Sequence, residues 1–159
     1  MELRDAAATE KLGRDLVTLL PEDPGGWMIL LQGELGSGKT TLARSMLRAL
    51  GHEGIVPSPT YTLVEPYRIG DRTVYNVDLY RIADASELEF LGWSDLRDGL
   101  LLIEWPDRVD GLTGQGDLLI ELSYSGNGRS AEITGLSERG REMIRKGDRT
   151  ANSDKGSNR

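Results

Sequence analysis

From Trp27 to Leu50 the chain reads WMILLQGELGSGKTTLARSMLRAL. An apolar run, Trp27 to Gln32, enters Gly33-Glu34-Leu35-Gly36-Ser37-Gly38-Lys39-Thr40, the spacing G-x-x-x-x-G-K-[ST] of a phosphate-binding loop set between a strand and a helix. Its glycines let the backbone turn tightly and point successive N–H groups at an anion that a side chain would otherwise block. The helix that follows offers its N-terminus to the same anion. Lys39 is a mobile point charge that can reach β- and γ-phosphates, and the Thr40 hydroxyl is a hard oxygen donor suited to Mg²⁺. Thr41 adds a contact at the α-phosphate. Leu42, Met46 and Leu50 recur at helical spacing with Ala43 and Leu47 beside them, and Gly51 stands where a C-terminal cap belongs.

Three stretches outside this loop carry further polar groups suited to phosphate chemistry. Ser58-Pro59-Thr60-Tyr61 follows the helix, where a hydroxyl can sense a γ-phosphate and its metal. Pro57 and Pro59 hold their neighbours extended, so the segment reads either as a switch presenting Thr60 or as a stiff turn into a strand. Asp78 ends a β-rich run, the position at which an α/β sheet gathers its chemistry. Leu100-Leu101-Leu102-Ile103 has the composition of a strand buried on both faces, and it ends in Glu104. Alone, Glu104 reads as the first solvated residue after a strand. Beside a P-loop it has the form of a Walker B acid, which holds Mg²⁺ through water or polarises the attacking water.

Composition bounds the rest. With 159 residues, 38% of them hydrophobic and 28% charged, the chain has the size of one domain with a real core. The absence of cysteine excludes disulfides, thiolate metal sites and cysteine catalysis. No apolar run is long enough to span a bilayer, and the N-terminus lacks the basic and apolar regions of a signal peptide, so a cytoplasmic protein is expected. The formal charge of -7 is uneven: residues 137–159 hold seven basic and four acidic residues, leaving residues 1–136 with 12 basic against 22 acidic. So acidic a body is a poor binder of nucleic-acid backbones, and any RNA connection is expected to run through a partner.

The pattern predicts a helix capped by Asp5 and ending before Pro21, and a hairpin of Thr62 to Ile69 with Arg72 to Val77 turning at Gly70-Asp71. A short amphipathic helix is predicted from Ala85 to Leu96 with Leu88, Phe90 and Leu91 inward, and Trp93 reads as packing. A second hairpin pairs Leu118 to Tyr124 with Ser130 to Thr134, with Arg129 at its tip; His52 is read as a surface residue past a helix end. The expected fold is α/β, a P-loop NTPase-like three-layer fold with a mixed, mainly parallel central sheet flanked by helices, plus the hairpins. Residues 1–136 are expected to form the ATPase domain. Residues 137–159 are expected to be a polar, disordered tail with one weak turn near Met143.

Taken in order, GELGSGKTT, SPTYTLVEPY, DLYR, ELEFLGWSDL and LIEWPDR resemble the bacterial TsaE family, formerly called YjeE, across Thr9 to Thr134. The resemblance implies a small P-loop ATPase that acts with the TsaB and TsaD proteins to form threonylcarbamoyladenosine in tRNAs that read ANN codons. It implies ATP binding by Gly36, Ser37, Gly38, Lys39, Thr40 and Thr41, with Thr9 and Arg129 near the nucleotide. Thr40 and Glu104 are the implied Mg²⁺ ligands, and Lys39, Thr60, Asp78 and Glu104 the implied catalytic set. Asn76 departs from the family, whose H-x-D-L-Y-R segment has histidine there, so no proton-carrying role is expected at that position. The basic tail has no counterpart in the family.

Two other classes fit a P-loop of this size. A small-molecule kinase needs an acceptor pocket and an arginine-bearing lid, and no Arg-rich lid stands out. A GTPase-type switch would want a guanine-reading N-K-x-D segment, which the sequence lacks.

Overall fold

The Asp5 carboxylate accepts the Ala8 N–H at 2.9 Å, and this cap turns the chain from a two-residue edge strand, β1 (Glu2–Leu3), into helix α1 (Ala6–Leu19). The computed structural model describes residues 1–60 and 62–157. Strand alternation then sorts the apolar run: in β2 (Met28–Gly33), Ile29 and Leu31 join one core while Met28 and Leu30 join another on the opposite face. Helix α2 (Lys39–Leu50) buries Leu42, Ala43, Met46 and Leu47 in the first core, beside Leu12 and Leu16 of α1. It ends at Gly51, whose φ of +118° only glycine adopts without strain.

β3 (Val64–Ile69) and β4 (Arg72–Asp78) form the first expected hairpin. The single helix expected from Ala85 to Leu96 is instead two four-residue turns, α3 (Glu87–Phe90) and α4 (Trp93–Leu96), broken at Gly92, where φ is +70°. Leu88 is buried as expected, but Phe90 is 90% exposed, because the break turns it away from the sheet. β5 (Leu100–Glu104) is buried throughout. Two 3-10 turns, Pro106–Arg108 and Leu112–Gln115, lead to the second hairpin, β6 (Leu118–Ser125) and β7 (Gly128–Gly135).

The seven strands lie in the order β1-β7-β6-β2-β5-β4-β3. The central four, β6, β2, β5 and β4, run parallel, and the pairings outside them are antiparallel. The sheet is therefore mixed, with long helices on one face. The other face is covered by α3, α4, the 3-10 turns and the segment through Leu79 and Ile82.

The disordered tail expected over 137–159 is corrected by helix α5 (Glu138–Gly156), which begins at Ser137, whose hydroxyl accepts the Gly140 N–H at 3.0 Å. A stripe of Gly140, Met143, Ile144 and Gly147 faces the domain, with Met143 buried in the first core. A Cβ on Gly140 would overlap the Asp117 carbonyl, and one on Gly147 would stand 2.9 Å from a Leu19 methyl, so these glycines set how closely the helix docks. Asp117 anchors it: the carboxylate accepts from Arg139 Nε at 2.7 Å and Nη2 at 2.9 Å, the Ser137 hydroxyl at 2.7 Å and the Met28 N–H at 2.9 Å. Beyond Gly147 the described helix is exposed, and residues 158 and 159 lie outside the described residues.

Candidate active site

Gly36 and Gly38 take φ of +77° and +108°, so the loop expected from sequence has the left-handed turns that a cradle of inward N–H groups requires. A Cβ at Gly36 would also come within 2.8 Å of the Tyr124 hydroxyl, which itself donates to the Leu35 carbonyl at 2.6 Å. Ser37 is buried, and its hydroxyl has no partner among the described residues. Lys39 curls back over its own loop: Nζ donates to the carbonyls of Gly33 at 2.6 Å and Glu34 at 2.9 Å, and lies 4.1 Å from the centre of the Trp105 ring. Burial lowers the Lys39 pKa, against the opposing pull of Glu104, Asp78 and Asp107.

The sheet order brings the acids to this loop. β5 lies between β2 and β4, and Asp78 pairs in register with Glu104 at the carboxyl ends of the two strands. The Thr40 hydroxyl donates to Glu104 Oε1 at 2.9 Å. Glu104 Oε2 is buried with no partner among the described residues. Burial pushes the Glu104 pKa up to about 7, with the Asp78 charge adding to it and the Thr40 hydroxyl, Lys39 and the Asn76 amide pulling it back. Asp78 is held at both oxygens, by the Tyr80 N–H at 2.9 Å and the Thr60 hydroxyl at 3.0 Å. The Ser58 hydroxyl in turn lies 2.9 Å from that of Thr60. Tyr61, the last residue of the expected switch segment, lies outside the described residues.

The loop separates two depressions. One, of about 180 Å³, is lined by Lys39, Thr40, Thr60, Asp78, Glu104 and Trp105. The other, of about 220 Å³, is lined by Asp5, Thr9, Gly36, Gly38, Thr41 and Arg129. Arg129 sits on β7 one residue inside the turn at Gly126-Asn127, not at the tip, and its guanidinium donates to the Gly36 carbonyl at 3.1 and 3.3 Å while stacking on Tyr124. Every candidate residue read from the sequence is thus on or beside one loop. A larger cleft of about 520 Å³, with Asp23, Thr73 and Asp98 in its wall, opens at the amino-terminal ends of the central strands, away from these groups. The strand ends that carry the acids are where open α/β sheets place their chemistry.

The contacts of Tyr124 with the loop and of the Trp105 ring with Lys39 escape a sequence reading, since an aromatic at a hairpin or strand end reads as ordinary packing. Trp105 has a backbone signal that only the structure gives: φ is +59° directly after Glu104, a conformation uncommon for a residue with a Cβ. The donor set fits Mg²⁺, which takes one or two protein oxygens and completes its shell with phosphate and water. Thr40 and Glu104 supply two, and no cluster of three or more His, Cys, Asp or Glu suited to a metal occurs among the described residues.

Comparison with known proteins agrees with the motifs. The family model described as threonylcarbamoyl adenosine biosynthesis protein TsaE matches residues 3–132. A Haemophilus influenzae protein named tRNA threonylcarbamoyladenosine biosynthesis protein TsaE is 44% identical over 119 residues, covering 74% of this chain and 75% of its own. Its namesake from Synechocystis is 41% identical over 119 residues, 71% of this chain and 73% of its own. The crystal structure of Bacillus subtilis YdiB superposes with a TM-score of 0.73 over 95% of this chain and 94% of that one, at 22% identity, a likeness of fold. Among the described residues no helix is long and apolar enough to cross a membrane. The family match over most of the chain, on a fold that gathers the P-loop, Asp78 and Glu104 at one place, makes this chain a member of the TsaE family.

Proposed function

We propose that this chain is a Mg²⁺-dependent ATPase that works in the cytoplasm with TsaB and TsaD in forming threonylcarbamoyladenosine in tRNAs reading ANN codons. The observation that carries the reading is the hydrogen bond from Thr40, at the start of the P-loop helix, to Glu104, at the end of a buried strand. The printed names of the relatives support the pathway.

Gly36 to Thr41 bind the phosphates through backbone N–H groups and the start of α2. Lys39 exchanges its two carbonyl contacts for the β- and γ-phosphate oxygens, where charge grows as the terminal phosphoryl leaves. Thr40 and Glu104 hold the metal, which when bound neutralises that charge. Asp78 orients the Thr60 hydroxyl, so the loop at 58–60 registers whether the γ-phosphate is present. Thr9 and Arg129 bound the far depression, where the rest of the nucleotide lies. With Glu104, Asp78 and Asp107 around Lys39 and an acidic body, the chain offers tRNA phosphates little, and partners supply that contact.

Phosphate release from ATP and GTP with and without Mg²⁺, and capture of TsaB and TsaD with and without ATP, test this together. Slow Mg²⁺-dependent ATP hydrolysis and ATP-dependent capture are expected. A phosphorylated small-molecule acceptor in place of free phosphate would make it a kinase.

A further inference from the structure

Asn76 is fully buried on β4, and neither its amide nitrogen nor its amide oxygen has a hydrogen-bond partner among the described residues. Folded proteins pair almost all such atoms, so an orphaned amide calls for a reason. Its neighbours supply one. Alternation along β4 puts Asn76 and Asp78 on one face of the sheet, and the register pairs them with Leu102 and Glu104 of β5. Leu102 lies in the core beneath α2, so Asn76 and Glu104 are diagonal neighbours on the face that carries the P-loop helix. Glu104 Oε1 is taken by Thr40, and Oε2 is buried without a partner among the described residues. An amide N–H donor and a carboxylate acceptor, both buried and without a well-formed hydrogen bond, therefore stand together behind the candidate metal site, near enough that the amide draws the Glu104 pKa down against burial.

We propose that Asn76 is a positioning residue for Glu104: its amide N–H holds Oε2, directly or through one water, and keeps Oε1 turned toward Thr40 when Mg²⁺ and nucleotide bind. Groups that orient a metal's ligands act in this way, and their loss weakens the metal rather than the fold. The inference rests on the reading of Glu104 as a Mg²⁺ ligand.

The test uses Asn76→Leu and Asn76→Ala in the full chain, reading the metal-free melting temperature and the affinity for a fluorescent ATP analogue with and without Mg²⁺. Asn76→Leu is expected to melt no lower than wild type. Both variants should bind the analogue normally without metal yet lose on the order of tenfold or more of the affinity gained on adding Mg²⁺. An unchanged Mg²⁺ gain in both variants overturns the proposal, as does loss of metal-free binding, which would make Asn76 a packing residue of the loop. Wild-type protein with no Mg²⁺ gain overturns the Glu104 assignment itself, and the inference falls with it.

Discussion

The Thr40 hydroxyl and the Glu104 carboxylate meet at 2.9 Å across 64 positions of sequence. Thr40 is fixed by the N-terminus of α2 and Glu104 by a strand whose every residue is buried, so neither can drift from the other without moving the core. Thr40→Val keeps the shape and removes the oxygen. It is expected to bind ATP without metal as wild type does and to lose Mg²⁺-dependent hydrolysis by on the order of 10²-fold, as for other lost transition-state contacts. Steady-state kinetics at saturating Mg²⁺ read this directly, and an unchanged kcat would remove Thr40 from the metal site.

Because burial brings the Glu104 pKa to about 7, a proton competes with the metal near neutrality. The acid form prevails below that value and the ligand form above it, so apparent Mg²⁺ affinity should fall by about tenfold from pH 8 to pH 6. In the metal-free protein the same shift acts on stability with the opposite sense to a salt-bridged acid: the cost of the buried charge begins above the unfolded value and is complete above about pH 7. Titrating Mg²⁺ against a fluorescent nucleotide at both pH values gives the answer, and a flat response would mean Glu104 stays ionised throughout.

Helix α5 should matter to stability in its first half only. Removing residues 138–157 takes Met143 out of the first core and strips Arg139 from Asp117, a loss of about 3 kcal/mol, or about 6–12 °C in Tm for a domain of this size. Removing only 148–157, all exposed, should change Tm by less than about 2 °C. Burial alone would raise the Asp117 pKa, but its bonds from Arg139, Met28 and Ser137 hold it below the ordinary value. Its contribution is therefore present above about pH 4 and lost as pH falls further, and Asp117→Asn should blunt the acid transition. Calorimetry on the two truncations separates docked from undocked helix.

The P-loop, β2, α2 and Glu104 were legible because each announces itself locally: glycine spacing, an apolar run, a carboxylate at its end. Helix α5 was not, because its docking stripe is built on Gly140 and Gly147, residues that read as helix breakers until the Asp117 carbonyl and Leu19 are seen against them. Phe90 misled for the reverse reason, an aromatic at inward spacing on a helix that Gly92 interrupts. β1 is too short for periodicity, and its existence follows from pairing with β7. The orphaned amide of Asn76 is a fact of tertiary packing alone.

Asp78→Ala removes the acceptor for Thr60 without touching the phosphate cradle. ATP affinity should stay within about threefold of wild type while hydrolysis slows by on the order of 10²-fold. Thr60→Val should reproduce the defect more weakly. Binding by fluorescence and turnover by phosphate release check this pair, and equal losses in affinity and rate would show that Asp78 acts on binding.

The most direct measurement is threonylcarbamoyl transfer to tRNA by TsaB and TsaD, supplied with preformed threonylcarbamoyl-adenylate and with wild-type protein, Lys39→Ala or neither. Lys39→Ala takes the loop's own cation from the γ-phosphate and leaves the backbone N–H groups in place. Repeated turnover is predicted with wild type alone, and the other two reactions should stop near a single round. Equal multiple turnover in all three would contradict the account.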